Sequence, residues 1–230
     1  MATASERDVV VVGAGPAGTA LASHLTRLGH DILVLERSPG PRQKICGEYL
    51  SSDCIPLLDR LGVLPDLDRV RPRRLRGMRI HTPAGVVVTG DFPDVPAPEP
   101  DTEGTGTGLR EWPGGIAIPR PVLDGILASN AARSGAEVRW GVRVTRLLHG
   151  RAGVTGIVTR DPEGEREVRC RLVVGADGRH SVVARDLGLR RPHPWLRRTG
   201  FIVRCGTAPA ESEYGEVFLA RDSYCILNPI

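Results

Sequence analysis

The sequence predicts an α/β protein that opens with a βαβ unit and later returns to a buried strand followed by a helix. Three observations lead there. Asp8 is followed by Val9, Val10, Val11 and Val12, a continuous β-branched run of the kind that a strand buried on both faces requires. The run opens onto Gly13-Ala14-Gly15-Pro16-Ala17-Gly18, then a helical stretch bearing Ala20, Leu21, Leu25 and Leu28, then a second apolar run at 31–35. Strand, glycine turn, helix and strand in so short a span make a βαβ unit. Much later, Leu172, Val173 and Val174 form another buried-strand run, which leads into Gly175-Ala176-Asp177-Gly178 and a helix over 181–187.

The remaining elements follow in order. Gly29 closes the first helix as a C-terminal glycine, and the second strand runs into Glu36-Arg37. Residues 38–50 read as a loop, and 51–61 as a short helix stopped by Gly62. Residues 75–81 and 86–89 pair as a hairpin about Pro83-Ala84-Gly85. From 90 to 115 the chain is rich in Pro, Gly, Asp and Glu without periodicity, which predicts a long loop or insertion. Pro121 opens an amphipathic helix with Leu123, Ile126, Leu127 and Ala131 on one face, and Gly135 ends it. Short strands at 136–140, 142–148, 153–160 and 165–170 come next, the last two joined at Asp161-Pro162-Glu163-Gly164. Residues 199–230 alternate as sheet, and no internal repeat is present.

Composition excludes several classes. With 40% hydrophobic residues over 230 positions, the chain is too apolar for disorder and long enough to bury roughly 70% of its unfolded surface. Its 28 glycines have no three-residue period, so collagen is excluded. No window approaches the ~18 apolar residues of a membrane-spanning helix. The polar start and the short run at 9–12 do not make a signal peptide, so a soluble, cytoplasmic chain is expected. The five cysteines (Cys46, Cys54, Cys170, Cys205, Cys225) include no C-x-x-C pair, and free thiols rather than a disulfide framework or zinc site are expected. Net charge is +4, but Lys44 is the only lysine, leaving 31 − 1 = 30 arginines. That bias reflects codon composition, and without aromatic-interleaved basic motifs it does not indicate nucleic-acid binding. The six histidines show no metal spacing, and neither G-x-S-x-G nor H-E-x-x-H occurs.

The glycine turn carries the chemistry. Gly13 makes the tight exit from the strand, Gly15 lets backbone approach a pyrophosphate, and Gly18 lets the helix pack close to the sheet. The helix opened by Pro16 and Ala17 offers free N–H groups and a partial positive charge to phosphates. Glu36, 18 residues after Gly18, stands where an acid accepts hydrogen bonds from an adenosine ribose and disfavours a 2′-phosphate. Flanked by both strands, the helix and the acid, the motif reads as a dinucleotide site for FAD or NAD rather than NADP.

Four segments resemble the flavoprotein oxidoreductases built like para-hydroxybenzoate hydroxylase, a family of aromatic-ring hydroxylases, flavin-dependent halogenases and geranylgeranyl reductases. They are the N-terminal turn with Glu36-Arg37; Pro41-Arg42-Gln43-Lys44-Ile45-Cys46-Gly47-Glu48, similar to the Cys-Gly-Glu loop of the geranylgeranyl reductase-like branch; Ile118-Pro119-Arg120 with Leu123-Asp124; and Val173 to Ser181, which resembles a second fingerprint with an Asp-Gly turn near the pyrophosphate. The resemblance implies FAD. Its contacts would come from Gly13, Gly15, Pro16, Ala17, Gly18, Glu36, Arg37, Arg42, Cys46, Gly47, Arg120, Val144, Asp177 and Gly178. Arg42 and Lys44 would neutralise phosphates, or form a solvated basic loop. Cys46 would lie near flavin or substrate, or fill space as a small apolar residue. Arg120 would reach phosphate or ribityl. Arginines 69, 71, 73, 74, 76 and 79 could hold an anionic substrate or NADPH phosphates, but a run at a hairpin edge reads better as a solvated face.

The resemblance thus implies a Rossmann-like FAD-binding domain (1–75 and 116–190) with an inserted mixed β-sheet substrate domain (76–115 and 191–230), incomplete at its C-terminal side. The family's third fingerprint, a Gly-Asp segment beyond the substrate sheet, is not found after Gly178, and neither is the halogenases' pair of tryptophans around Ile-Pro. A fragment of a longer flavoprotein, or a second chain completing the fold, would account for that. The expected activity is that of an FAD-dependent oxidoreductase in which NAD(P)H, bound transiently, reduces the flavin. The flavin would then serve hydroxylation (monooxygenase) or double-bond reduction of a small organic substrate. The rivals are a catalytically silent FAD-binding fragment or partner subunit, and an NAD-binding dehydrogenase module, which the Asp177-Gly178 segment disfavours. No catalytic acid or base is specified by spacing.

Overall fold

The computed structural model describes residues 6–93, 114–191, 193, 195, 199–206 and 212–230. Strand β1 (Arg7–Val12) leads through the glycine turn into α1 (Pro16–Arg27) and β2 (Ile32–Glu36). A two-residue β3 (Tyr49–Leu50), a 3-10 turn at Ser52–Cys54, α2 (Ile55–Arg60) and α3 (Leu64–Arg69) follow. Next come β4 (Arg73–Leu75), β5 (Gly77–His81), β6 (Val87–Asp91), β7 (Gly115–Ala117) and α4 (Arg120–Arg133). The chain continues as β8 (Glu137–Trp140), β9 (Arg143–Gly150), β10 (Gly153–Asp161) and β11 (Gly164–Gly175), then α5 (Val182–Asp186), β12 (Tyr214–Leu219) and β13 (Tyr224–Leu227). The loop expected over 90–115 falls, for residues 94–113, outside the described residues. No helix among the described residues is long and apolar enough to cross a membrane.

Two compact units are formed, Met1–Arg42 with Asp124–Arg198, and Gln43–Leu123 with Thr199–Ile230. The first is built on a six-stranded sheet of order β8-β2-β1-β11-β10-β9, parallel from β8 to β11 and antiparallel beyond. Because side chains alternate along a strand, the valine run serves both faces. Val9 and Val11 pack with Ile32, Val34, Ala22 of α1 and Ala131 of α4 on one side. Val10 and Val12 pack with Leu33, Leu35, Leu147, Ile157 and Val182 and Val183 of α5 on the other. Helices α1 and α4 meet through small residues and a buried hydrogen bond from Asn130 Nδ2 to Ser23 Oγ (3.2 Å). Gly135, at φ 106°, closes α4 with its N–H on Ala132 O, as a left-handed helix end requires.

The second unit carries a three-stranded antiparallel sheet, β3-β7-β4, and a four-stranded mixed sheet, β13-β12-β5-β6, in which β12 runs parallel to β5. Leu58, Leu61, Leu64, Leu67, Leu75, Ile116 and Ile118 are buried in it.

Strands β3, β4 and β7 fall largely on residues read as loop or left unassigned, and three further elements differ from expectation. The helix expected over 51–61 begins as a 3-10 turn and becomes α-helical at Ile55, because Pro56 has no N–H to give the carbonyl of Ser52. Helix α3 was not anticipated; Pro65 starts it, and Leu64 and Leu67 point inward at helical spacing. The strands expected at 165–170 and 172–174 are one strand, β11, which changes partner midway. Residues 164–169 pair with β10 and 170–175 with β1, so Arg169 and Arg171 interrupt the hydrophobic pattern without breaking the strand.

Candidate functional site

The glycine turn is shaped by close backbone approach. Gly13 lies at φ 108°, and a Cβ there would stand 2.5 Å from Ala176 O and 2.9 Å from Asp177 Cα. A Cβ on Gly18 would stand 2.0 Å from Gly13 O. The two fingerprints, whose touching residues Gly13 and Ala176 are 163 positions apart in the chain (176 − 13 = 163), therefore meet at the ends of the adjacent strands β1 and β11. Gly15 caps α1 without any side-chain hydrogen bond, and Pro16 occupies its first turn. The first intrahelical bond is Thr19 N–H to Gly15 O (3.0 Å), so the N–H groups of Ala17 and Gly18 precede the helix's own acceptors and remain for an anion.

Glu36, at the end of β2, is held at this turn. Its Oε2 accepts from Ala14 N–H (3.1 Å) and its Oε1 from Ser38 N–H (3.0 Å). Asp177 Oδ2 accepts from Val182 N–H (2.6 Å) at the start of α5, while its Oδ1 is buried with no hydrogen-bond partner among the described residues. A buried carboxylate oxygen without a donor is costly. It suits a ligand hydroxyl or a bridging water rather than a phosphate oxygen, which offers no proton. The glycine cradle, the uncapped helix N-terminus, the held acid and the orphaned oxygen together fit a dinucleotide.

The other expected residues are distributed over both units. Arg37 is exposed beside Glu36, Arg42 is exposed with Nε on Ser38 Oγ (3.1 Å), and Gly178 lies at φ 75° after Asp177. The Val144 side chain, on β9, is packed in the core with Leu147 and Ile157, so only its backbone is available to a ligand. In the second unit Cys46 is half-buried and Gly47 exposed, and Arg120 is the first residue of α4. The six-arginine cluster is largely ion-paired: Arg69 with Asp66, Arg74 with Asp68, Arg76 with Asp91 and Arg79 with Glu216. Among the described residues no three His, Cys, Asp or Glu side chains gather as metal ligands.

Sequence reasoning missed a polar network on the four-stranded sheet. His81 Nε2 bonds Glu216, the His81 ring stacks on Phe218 at 4.3 Å, and the Arg79 guanidinium lies 4.2 Å over the Tyr214 ring. Tyr214 donates to Asp91 Oδ1 (2.7 Å). That bond, aided by Arg76, holds the Asp91 carboxyl below its ordinary range, and the same bond pushes the Tyr214 phenol up. It also missed the partners of the Glu48 carboxylate, which include Arg204. Neither had a local signal, since the partners lie 72 or more residues apart in the chain.

Residues 6–200 match the family described as "FAD binding domain". A menaquinone reductase of Mycolicibacterium smegmatis is 35% identical over 193 residues, covering 84% of this chain and 41% of that protein. Digeranylgeranylglycerophospholipid reductase 2 of Methanothermobacter thermautotrophicus is 32% identical, covering 79% of this chain and 42% of that protein. Among solved structures, OxyS anhydrotetracycline hydroxylase from Streptomyces rimosus superimposes with a TM-score of 0.65 at 32% identity, over 80% of this chain and 34% of its own. The chain thus spans less than half the length of the curated relatives it matches.

Proposed function

The chain belongs to the FAD binding domain family, and from that premise we propose that it forms the cofactor-binding part of an FAD-dependent oxidoreductase that takes electrons from NAD(P)H and reduces a carbon–carbon double bond of an isoprenoid substrate. The observation that carries the cofactor reading is the turn where Gly13, Gly18, Glu36 and Asp177 converge. The reductase branch is supported by two relatives named as reductases and by the Cys46-Gly47-Glu48 loop.

When bound, FAD supplies the chemistry of accepting a hydride from a nicotinamide and passing it on. The chain's own residues bind and orient. The N–H groups at the start of α1 face the pyrophosphate, where the helix's partial positive charge favours an anion. Glu36 accepts from ribose hydroxyls and repels a 2′-phosphate. Asp177 Oδ1 takes a cofactor hydroxyl, which removes its desolvation cost. Arg37, Arg42 and Arg120 offset phosphate charge, and Cys46, Gly47, Gly178 and the Val144 backbone complete the contacts. An NAD(P)H-dependent reaction of this kind is proposed for the cytoplasm.

Hydroxylation is the second reading, favoured by the 32% identity to a hydroxylase. One experiment separates them. The purified chain is reconstituted with FAD, the loss of visible flavin absorbance with NADH and NADPH is followed under nitrogen, and an isoprenoid quinone is added with and without O₂. Product under nitrogen is the expected result. Product formed only with O₂ would replace reduction by hydroxylation, and a chain that binds no FAD would overturn both.

A further inference from the structure

The Cys46-Gly47-Glu48 loop is tied down from several sides within the second unit. Glu48 is 3% exposed and sits at φ 55°, the left-handed region that a residue with a side chain occupies only when its surroundings hold it there. Its carbonyl accepts from Ile118 N–H (2.8 Å). Its Oε1 accepts from the backbone N–H of Arg120 (2.9 Å) and from Arg204 Nη2 (2.6 Å). The same guanidinium nitrogen bonds Gln43 Oε1, and Asn228 Nδ2 bonds the carbonyl of Gly47.

A carboxylate at the first residue of a fourteen-residue helix satisfies an N–H that the helix cannot, and it lies at the favourable end of the dipole. Taking that charge out of water is tolerable only with a close cationic partner, here Arg204, which is itself one-third exposed. A serine or threonine would cap the helix as well. What the carboxylate adds is reach in two directions, to the helix start and to a segment 156 residues downstream.

We propose that Glu48 is a positioning residue: its buried carboxylate ties the Cys46–Gly47 loop to the first turn of α4 and to Arg204, and so holds Arg120 and Gly47 in place for the cofactor. This rests on the reading, given above, that Arg120 and Gly47 contact FAD.

The test uses the full chain with Glu48→Ala, Glu48→Gln and Arg204→Gln. Hydrogen exchange over 43–49 and 118–123 is measured without FAD, and FAD affinity by quenching of flavin fluorescence well below the thermal midpoint. Glu48→Ala is expected to speed exchange in both segments and to weaken FAD by about tenfold or more, the scale of a lost hydrogen bond to a charged group. Glu48→Gln, which keeps an acceptor for the Arg120 N–H, recovers most of the affinity. Arg204→Gln, altered at the more exposed partner, gives an intermediate loss and decides the matter if Glu48→Ala does not fold. Unchanged exchange overturns the clamp. Lowered stability with FAD affinity within about twofold of the parent chain overturns the positioning role, because a merely structural residue behaves so. A parent chain that binds no FAD overturns the cofactor role of the clamp together with the functional reading, whereas a parent that binds FAD beside variants that bind it equally well overturns the clamp's role alone.

Discussion

Gly18 has no side chain because none fits: the nearest obstacle to a Cβ is a backbone carbonyl at 2.0 Å, which cannot swing aside. The same economy of space puts Glu36 at the turn, with both carboxylate oxygens engaged by backbone N–H groups. Glu36→Ala should weaken FAD by ~1–3 kcal/mol if the ribose contact is made. Calorimetric titration checks this, and an unchanged affinity would remove Glu36 from the site. The cysteines are sorted by burial rather than by pairing, since all five are free. Burial pushes the Cys170 thiol up, while Cys205 and Cys225 are exposed. A thiol reagent near pH 8 should therefore label Cys205 and Cys225 first and Cys170 only on unfolding. Mass spectrometry of timed samples reads the order, and early labelling of Cys170 would mean that the β1–β11 seam opens in the native chain.

At the scale of elements, the four-stranded sheet depends on strands that the chain brings together from far apart. Tyr214 at the start of β12 reaches Asp91 at the end of β6 across β5. Because that bond lowers the folded-state pKa of Asp91, the linkage has a definite sign. The contribution is present above the unfolded carboxyl pKa and is lost as pH falls through the folded one. Asp91→Asn should thus lower the thermal midpoint slightly at neutral pH, change it least in acid, and so flatten the acid side of the curve, an effect kept small by the exposure of both Asp91 and Arg76. If the acid limb were as steep in the variant, other carboxylates would be responsible. Helix α5 shows the opposite case, a local one. Ser181 Oγ accepts from Ala184 N–H at 3.0 Å, a cap that follows from a serine placed just before a short apolar run.

For the molecule as a whole, anything that binds only the folded chain raises its stability by mass action. FAD at about a hundred times its dissociation constant should add ~2.7 kcal/mol and raise the thermal midpoint accordingly. Differential scanning fluorimetry across an FAD series tests it, and a midpoint independent of FAD would contradict a folded cofactor site. The chain's own residues determine much of that site without help from the fold. The run Val9 to Val12, the glycines at 13, 15 and 18, and Glu36 are legible because strand period, turn conformation and helix capping are set by neighbours a few residues away. The Ser181 cap is legible for the same reason. The tertiary structure alone decided where β11 exchanges β10 for β1, that Gly13 packs on Ala176, that Asp177 Oδ1 is left without a donor, and that Glu48 finds Arg204. The contacts among these join residues from distant parts of the chain, and such contacts leave no periodicity in a single sequence. Burial of both faces of the six-stranded sheet brings β11 beside β10 and β1, and the folding of the second unit brings Glu48 to Arg204.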